Sequence, residues 1–126
     1  MPLIETAGWR IPKENHDRML ELASVGPDGN GGLEFQRRHP EKLFYRKTRT
    51  FFTSEEGSPE ETWFFIDEYG TDADYRKAHE VYKTDPDAVS IGAAFREALL
   101  ALIVPGSMWG PLRCTELEPL TVVFDR

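Results

Sequence analysis

The chain has 126 residues, 40% hydrophobic and 29% charged, which suits one core-bearing domain spanning 1–126 and excludes a disordered chain. A net charge of −7 disfavours a surface devoted to phosphate backbones, and the lone Cys114 excludes an intrachain disulfide. No apolar run approaches the roughly 20 residues of a membrane span, and no signal-peptide pattern opens the chain, so a soluble cytoplasmic protein without membrane contacts is expected.

Leu3–Ile11 alternates, with Leu3, Glu5, Ala7, Trp9 and Ile11 on one side, and predicts a strand. Gly8 marks a bulge or a close approach of neighbouring groups. Pro12 suits the opening of a helix that runs to about Ala23 and buries Met19, Leu20 and Ala23, with Asn15, His16 and Asp17 in an exposed first turn. Gly26–Gly32 reads as a loop, and without a Gly-Lys-Ser/Thr ending it is not a phosphate loop. Leu33–Lys42 admits a helical turn before Pro40.

A second strand is expected over Leu43–Phe52. Leu43, Tyr45, Lys47, Arg49 and Phe51 share one face; Phe44, Arg46, Thr48, Thr50 and Phe52 share the other. The basic run from Arg37 to Arg49 reads as a turn and a polar strand face, and no glycine-aromatic pattern accompanies it to indicate RNA. Thr53–Glu61, with Gly57, Pro59 and four glutamates, is a hairpin loop.

The third strand, Thr62–Tyr69, is apolar on both sides: Trp63, Phe65, Asp67 and Tyr69 on one, Phe64, Ile66 and Glu68 on the other. A sheet with helices on one face normally alternates apolar and polar residues. The second apolar face therefore needs a cover, and a second copy of the chain supplies it, which predicts a homodimer.

Thr71-Asp72-Ala73-Asp74 is a capping box, and Tyr75, Ala78, His79 and Tyr82 share one face of the helix it opens. Asp85-Pro86 breaks that helix, and a second segment runs from Asp87 to Val104. Gly106–Pro111, with Met108 and Trp109, reads as a lid loop. A last strand is expected from the alternation of Leu120, Val122 and Phe124 with Thr121 and Val123. The order is α+β: a ferredoxin-like split βαβ unit with a four-stranded antiparallel sheet and helices on one face.

Asp67-Glu68-Tyr69-Gly70-Thr71, followed by Tyr75 and His79, resembles the dimeric α/β-barrel superfamily, and more narrowly the antibiotic-biosynthesis-monooxygenase (ABM) domains. Those domains place an acidic residue and, two positions on, an aromatic at the end of the third strand, then a capped helix bearing a histidine. Tyr69 stands here where Trp is commoner, and the helix pair is longer than the family's single helix. The residue-level match covers Thr62–Tyr82. The resemblance implies a homodimer closed sheet to sheet and a pocket in each protomer between sheet and helices. The fold hosts cofactor-independent oxygenation, haem degradation, isomerisation and stress-response proteins alike.

Within that frame His79 is the candidate general base or axial haem ligand, and Asp67 and Tyr69 join it as catalytic candidates. Trp63, Phe65, Tyr75 and Tyr82 are expected to line the pocket for a small aromatic or hydrophobic ligand, with Trp109 at its lid. Arg46 or Arg49 would stabilise an oxyanion, and only one of the two can face inward, because three residues separate them. Ordinary core packing is the alternative for each aromatic. His16, His39 and His79 have no metal-ligand spacing, so no metal is expected. The leading functional expectation is a cofactor-independent, monooxygenase-like enzyme. The alternatives are a non-catalytic stress-response or ligand-binding barrel and a haem-binding barrel.

Overall fold

A strand with apolar residues at alternate positions is stable between two neighbours, and Leu3–Pro12 (β1) has both. A computed structural model of the chain describes residues 3–26 and 32–125. Its four strands run in the order β2 (Tyr45–Ser54), β3 (Glu60–Tyr69), β1, β4 (Trp109–Thr115), every pair antiparallel. The helices are α1 (His16–Ser24), α2 (Gly32–Arg38), α3 (Pro40–Leu43), α4 (Asp72–Thr84) and α5 (Pro86–Leu100). They cover the sheet face that carries Leu3, Trp9, Ile11, Trp63 and Tyr69. This is the ferredoxin-like α+β arrangement expected from the element order.

The main core joins Trp9, Ile11 and Trp63 of the sheet to Met19 and Leu22 of α1 and Leu99 of α5. Smaller clusters pack Leu3 and Tyr69 against Ala78, and Leu43 and Phe35 against Ala88. Full burial of one such aliphatic side chain stabilises the fold by about 1.5–3 kcal/mol. Thr71 caps α4 by accepting from the Asp74 N–H at 3.1 Å, as the capping box requires. Asp85 does the same for α5, its Oδ1 accepting from the N–H groups of Asp87 and Ala88 at 3.1 and 3.2 Å.

Several local expectations are corrected. Lys13–Asn15 form a 3₁₀ turn, so α1 starts at His16 and its phase shifts; Leu22 is buried while Leu20 is 52% exposed. His16 does not sit in open solvent but meets Glu61, with Nδ1 2.8 Å from Oε2. The helix after Asp85 ends at Leu100, short of Val104, although Leu102 and Ile103 stay buried beyond it. Phe44 adopts a left-handed conformation (φ 58°), so β2 begins at Tyr45 rather than Leu43. A register shift between Tyr45 and Lys47 then puts Tyr45, Thr48, Thr50 and Phe52 on the helical face, and Lys47, Arg49 and Phe51 on the other.

The fourth strand is Trp109–Thr115, which begins inside the supposed lid, runs past its end and pairs with β1. The alternating Leu120–Phe124 stretch lies outside the sheet, and Leu120, Val122 and Val123 are 77, 64 and 90% exposed. Most of the Gly26–Gly32 loop, residues 27–31, falls outside the described residues.

Candidate functional site

Between the helical face of the sheet and helices α2, α4 and α5 lies a cavity of about 460 Å³. Glu5 and Trp9 of β1, Phe65 and Asp67 of β3, and Thr48 and Thr50 of β2 form its sheet side. Tyr82 of α4 and Ile91, Gly92 and Phe95 of α5 close it from the helices. Gly92 has nothing within 4 Å of the point where a Cβ would sit, so its missing side chain enlarges the space.

The polar end of the cavity is built by strand register. Glu5 and Asp67 are directly opposite on β1 and β3, so both carboxylates point to the helical face. They are only 7% and 6% exposed. Thr48, opposite Asp67 on β2, donates its hydroxyl to Asp67 Oδ1 at 2.6 Å. Burial pushes the Asp67 carboxyl up to about 6, and the Glu5 charge adds to the rise. The Thr48 and Tyr45 hydroxyls and the charge of His79 pull it partly back. Burial also raises the phenols of Tyr45 and Tyr69 well above the usual tyrosine range, so both are neutral hydrogen-bond partners.

Glu5 has a different environment. His79 Nε2 lies 2.6 Å from its Oε2. The Tyr75 ring packs on His79 with centroids 4.3 Å apart, and burial together with its hydrogen bond to Glu5 raises the Tyr75 phenol. The site therefore holds two carboxylates in contrasting surroundings, one beside an imidazole and one held by hydroxyls alone.

Of the sequence candidates, Asp67, Phe65 and Tyr82 line the cavity. His79 and Tyr75 stand behind Glu5, and Tyr69 (1% exposed) is packed between Leu3, Tyr45 and Tyr75. Trp63 lies deeper in the core, where its Nε1–H donates to Glu61 Oε2 at 2.9 Å. Neither arginine enters. The register shift sends Arg49 to the opposite face, 4.0 Å from Glu68, while Arg46 is exposed beside Gly70. Threonines take the inward places. Trp109 also lies on the opposite face, its ring covering Gly8, where a Cβ would fall 2.5 Å from it.

Glu5, Trp9, Tyr45, Thr48, Thr50, Gly92 and Phe95 are among the lining residues that sequence reasoning missed. Glu5 left a readable signal: it is the single charge on the strand face Leu3, Ala7, Trp9, Ile11. Among the described residues no group of three or more His, Cys, Asp or Glu could hold a metal ion, and no helix is long and apolar enough to cross a membrane.

No family model and no curated protein matches the chain. Solved structures that resemble it include the following two. A NIPSNAP family protein from Agrobacterium tumefaciens superposes with a TM-score of 0.55 at 14% identity, over 96% of this chain and 100% of its own. A dimeric ferredoxin-like protein of unknown function from Jannaschia sp. CCS1 gives a TM-score of 0.50 at 17% identity, over 91% of this chain and 99% of its own. At this level of identity the likeness establishes the ferredoxin-like fold.

Proposed function

We propose that the protein is a homodimer in which each protomer binds a small, largely aromatic or hydrophobic molecule and exchanges a proton with it through Asp67. One observation carries this reading: a buried carboxyl pushed up to about 6 stands at the wall of an aromatic-lined cavity of about 460 Å³. A carboxyl poised near neutrality can accept or return a proton there, whereas an ordinary aspartate is too weak a base. The dimer is supported by the uncovered sheet face, where Phe51 stacks on Phe64 and Leu112 is 53% exposed, and by the dimeric state of the Jannaschia protein.

The ABM-like reading, cofactor-independent oxygenation of a phenol, shares the base but also calls for a cation beside the developing oxyanion. Among the described residues, those lining the cavity include no arginine, lysine or histidine. The geometry therefore favours ligand binding with proton exchange over oxygenation. A haem reading fits less well still, because the Nε2 that would ligate iron is engaged by Glu5 at 2.6 Å. Calorimetric titration with phenols and aromatic amines in two buffers of different ionisation heat tests the proposal. Binding accompanied by a net proton change, abolished in Asp67→Asn, is expected. Saturable binding with no proton change in either protein would refute the role of Asp67.

A further inference from the structure

We propose that Glu5 and His79 form the proton exit of the cavity: Glu5 receives the proton that Asp67 gives up, and His79 passes one to solvent between β1 and α4. The inference rests on the proton exchange assigned to Asp67 above and adds the route by which that proton enters and leaves.

The route runs from the cavity outward. Glu5 and Asp67 both line the cavity and stand directly opposite each other on β1 and β3. Side chains so opposed have Cβ atoms about 4.5–5.5 Å apart, a gap that two carboxyl groups close directly or through one water. Glu5 is in turn bound to the helical layer, with His79 Nε2 2.6 Å from its Oε2. The far nitrogen of the ring, Nδ1, has no hydrogen-bond partner among the described residues and is not buried, and the side chain is 34% exposed. One edge of the imidazole therefore touches a cavity carboxylate while the other meets water.

An imidazole takes a proton at one nitrogen and releases one from the other near neutral pH. Starting from imidazolium opposite carboxylate, the proton that Glu5 accepts is balanced by the one that Nδ1 gives to water. The flow reverses when the ligand leaves. The other polar neighbours of Asp67 do not offer such a path. Thr48 and Tyr45 are hydroxyl donors, and burial holds the Tyr45 phenol well above its usual range. Around the pair, the Tyr75 phenol hydrogen-bonds to Glu5 and its ring packs on His79, while Arg113, opposite Glu5 on β4, is committed to Asp72. A ligand that fills the cavity displaces water from the inner side of Asp67 but leaves this outer path open.

The test is carbon-13 NMR of the Asp67 carboxyl around pH 6, where its line width reports how fast its proton exchanges with solvent. Wild type should give one sharp, averaged signal. His79→Gln keeps an amide donor for Glu5 but carries no proton, and should slow the exchange by roughly tenfold or more. Glu5→Gln cuts the same route one step earlier and should do likewise, so the test survives if one of the two variants fails to fold. Free imidazole should restore fast exchange in His79→Ala, where it can occupy the vacated place, and should not restore it in Glu5→Gln. That contrast separates a proton carrier from a residue that only holds α4 to β1. Unchanged exchange in either folded variant, or no rescue by imidazole, would overturn the route while leaving the Asp67 reading in place. An Asp67 signal that does not titrate around pH 6 would remove both.

Discussion

His79 Nε2 lies 2.6 Å from Glu5 Oε2, a contact that ties α4 to β1 across 74 positions of sequence. The Glu5 side chain is 10% exposed and the His79 side chain 34%, so removing the imidazole leaves a nearly buried carboxylate with the Tyr75 phenol but without its closest partner. Discounted for the exposed side of the pair, His79→Ala should cost about 1–2 kcal/mol. His79→Gln, whose amide can still donate, should recover part of that loss. Urea unfolding of His79→Ala, Glu5→Gln and the double variant gives the coupling. A coupling near zero would remove the contact from the account of the site.

Asp67 makes a prediction of unusual sign. Its carboxyl stands near 6 in the folded chain against an ordinary 3.8, so between those values the native state holds a proton that the unfolded state has released. Stability from this group is therefore fully present below 3.8 and lost as pH rises through about 6. The ionised Asp67 costs the native state about 3 kcal/mol at neutral pH by this linkage. Asp67→Asn should accordingly be more stable than wild type at pH 8, and the advantage should shrink toward pH 4. Urea midpoints of the two proteins across that range provide the measurement. An Asp67→Asn variant less stable at pH 8 than wild type would contradict the assignment. A residue that destabilises its own fold is explained by what it does for a ligand.

The fold was readable because its strongest signals are local. The doubly apolar Trp63–Tyr69 run and the Thr71 cap specify β3 and α4 without reference to anything distant. The fourth strand was hidden for the same reason. Trp109–Thr115 contains Gly110, Pro111 and Arg113 and has no apolar alternation, since it is an edge strand exposed along its length, while Leu120–Phe124 alternates and joins no sheet. The site was half legible. Asp67, Phe65 and Tyr82 follow from periodicity. The inward threonines follow from the shift between Tyr45 and Lys47, which reverses the parity of every later β2 residue and carries Arg49 out of the pocket. Nothing in the composition of Tyr45–Ser54 announces that shift. Glu5 was visible as a charge on an apolar face, but its partner His79 is supplied only by the tertiary fold.

Gly92 separates stability from binding within one position. It lies inside α5, lines the cavity, and has open space where a side chain would begin. Gly92→Ala should stabilise the protein by about 0.5–1 kcal/mol through helix propensity alone. Gly92→Phe should fill the cavity and abolish ligand binding while leaving the far-UV circular dichroism spectrum unchanged. Thermal melts and titration with any probe that binds the wild type report the two effects. Retained affinity in Gly92→Phe would place the ligand elsewhere.

The uncovered sheet face carries the last prediction. Phe51 and Phe64 stack there with centroids 5.1 Å apart, Ile66 lies beside them, and no helix of the described residues covers them. A specific dimer interface buries roughly 1,200–2,000 Å² in total, a size that two sheets packed face to face can reach. Because Ile66 points away from the helical core, Ile66→Lys should leave the protomer folded and put a charge in the middle of the joint. Sedimentation at micromolar concentration should give twice the chain mass for wild type and the single-chain mass for Ile66→Lys. Near-UV circular dichroism should show Trp9 and Trp63 still in their folded environment. A wild-type protein that sediments as a single chain would leave the apolar face unexplained and remove the dimer from the proposed function.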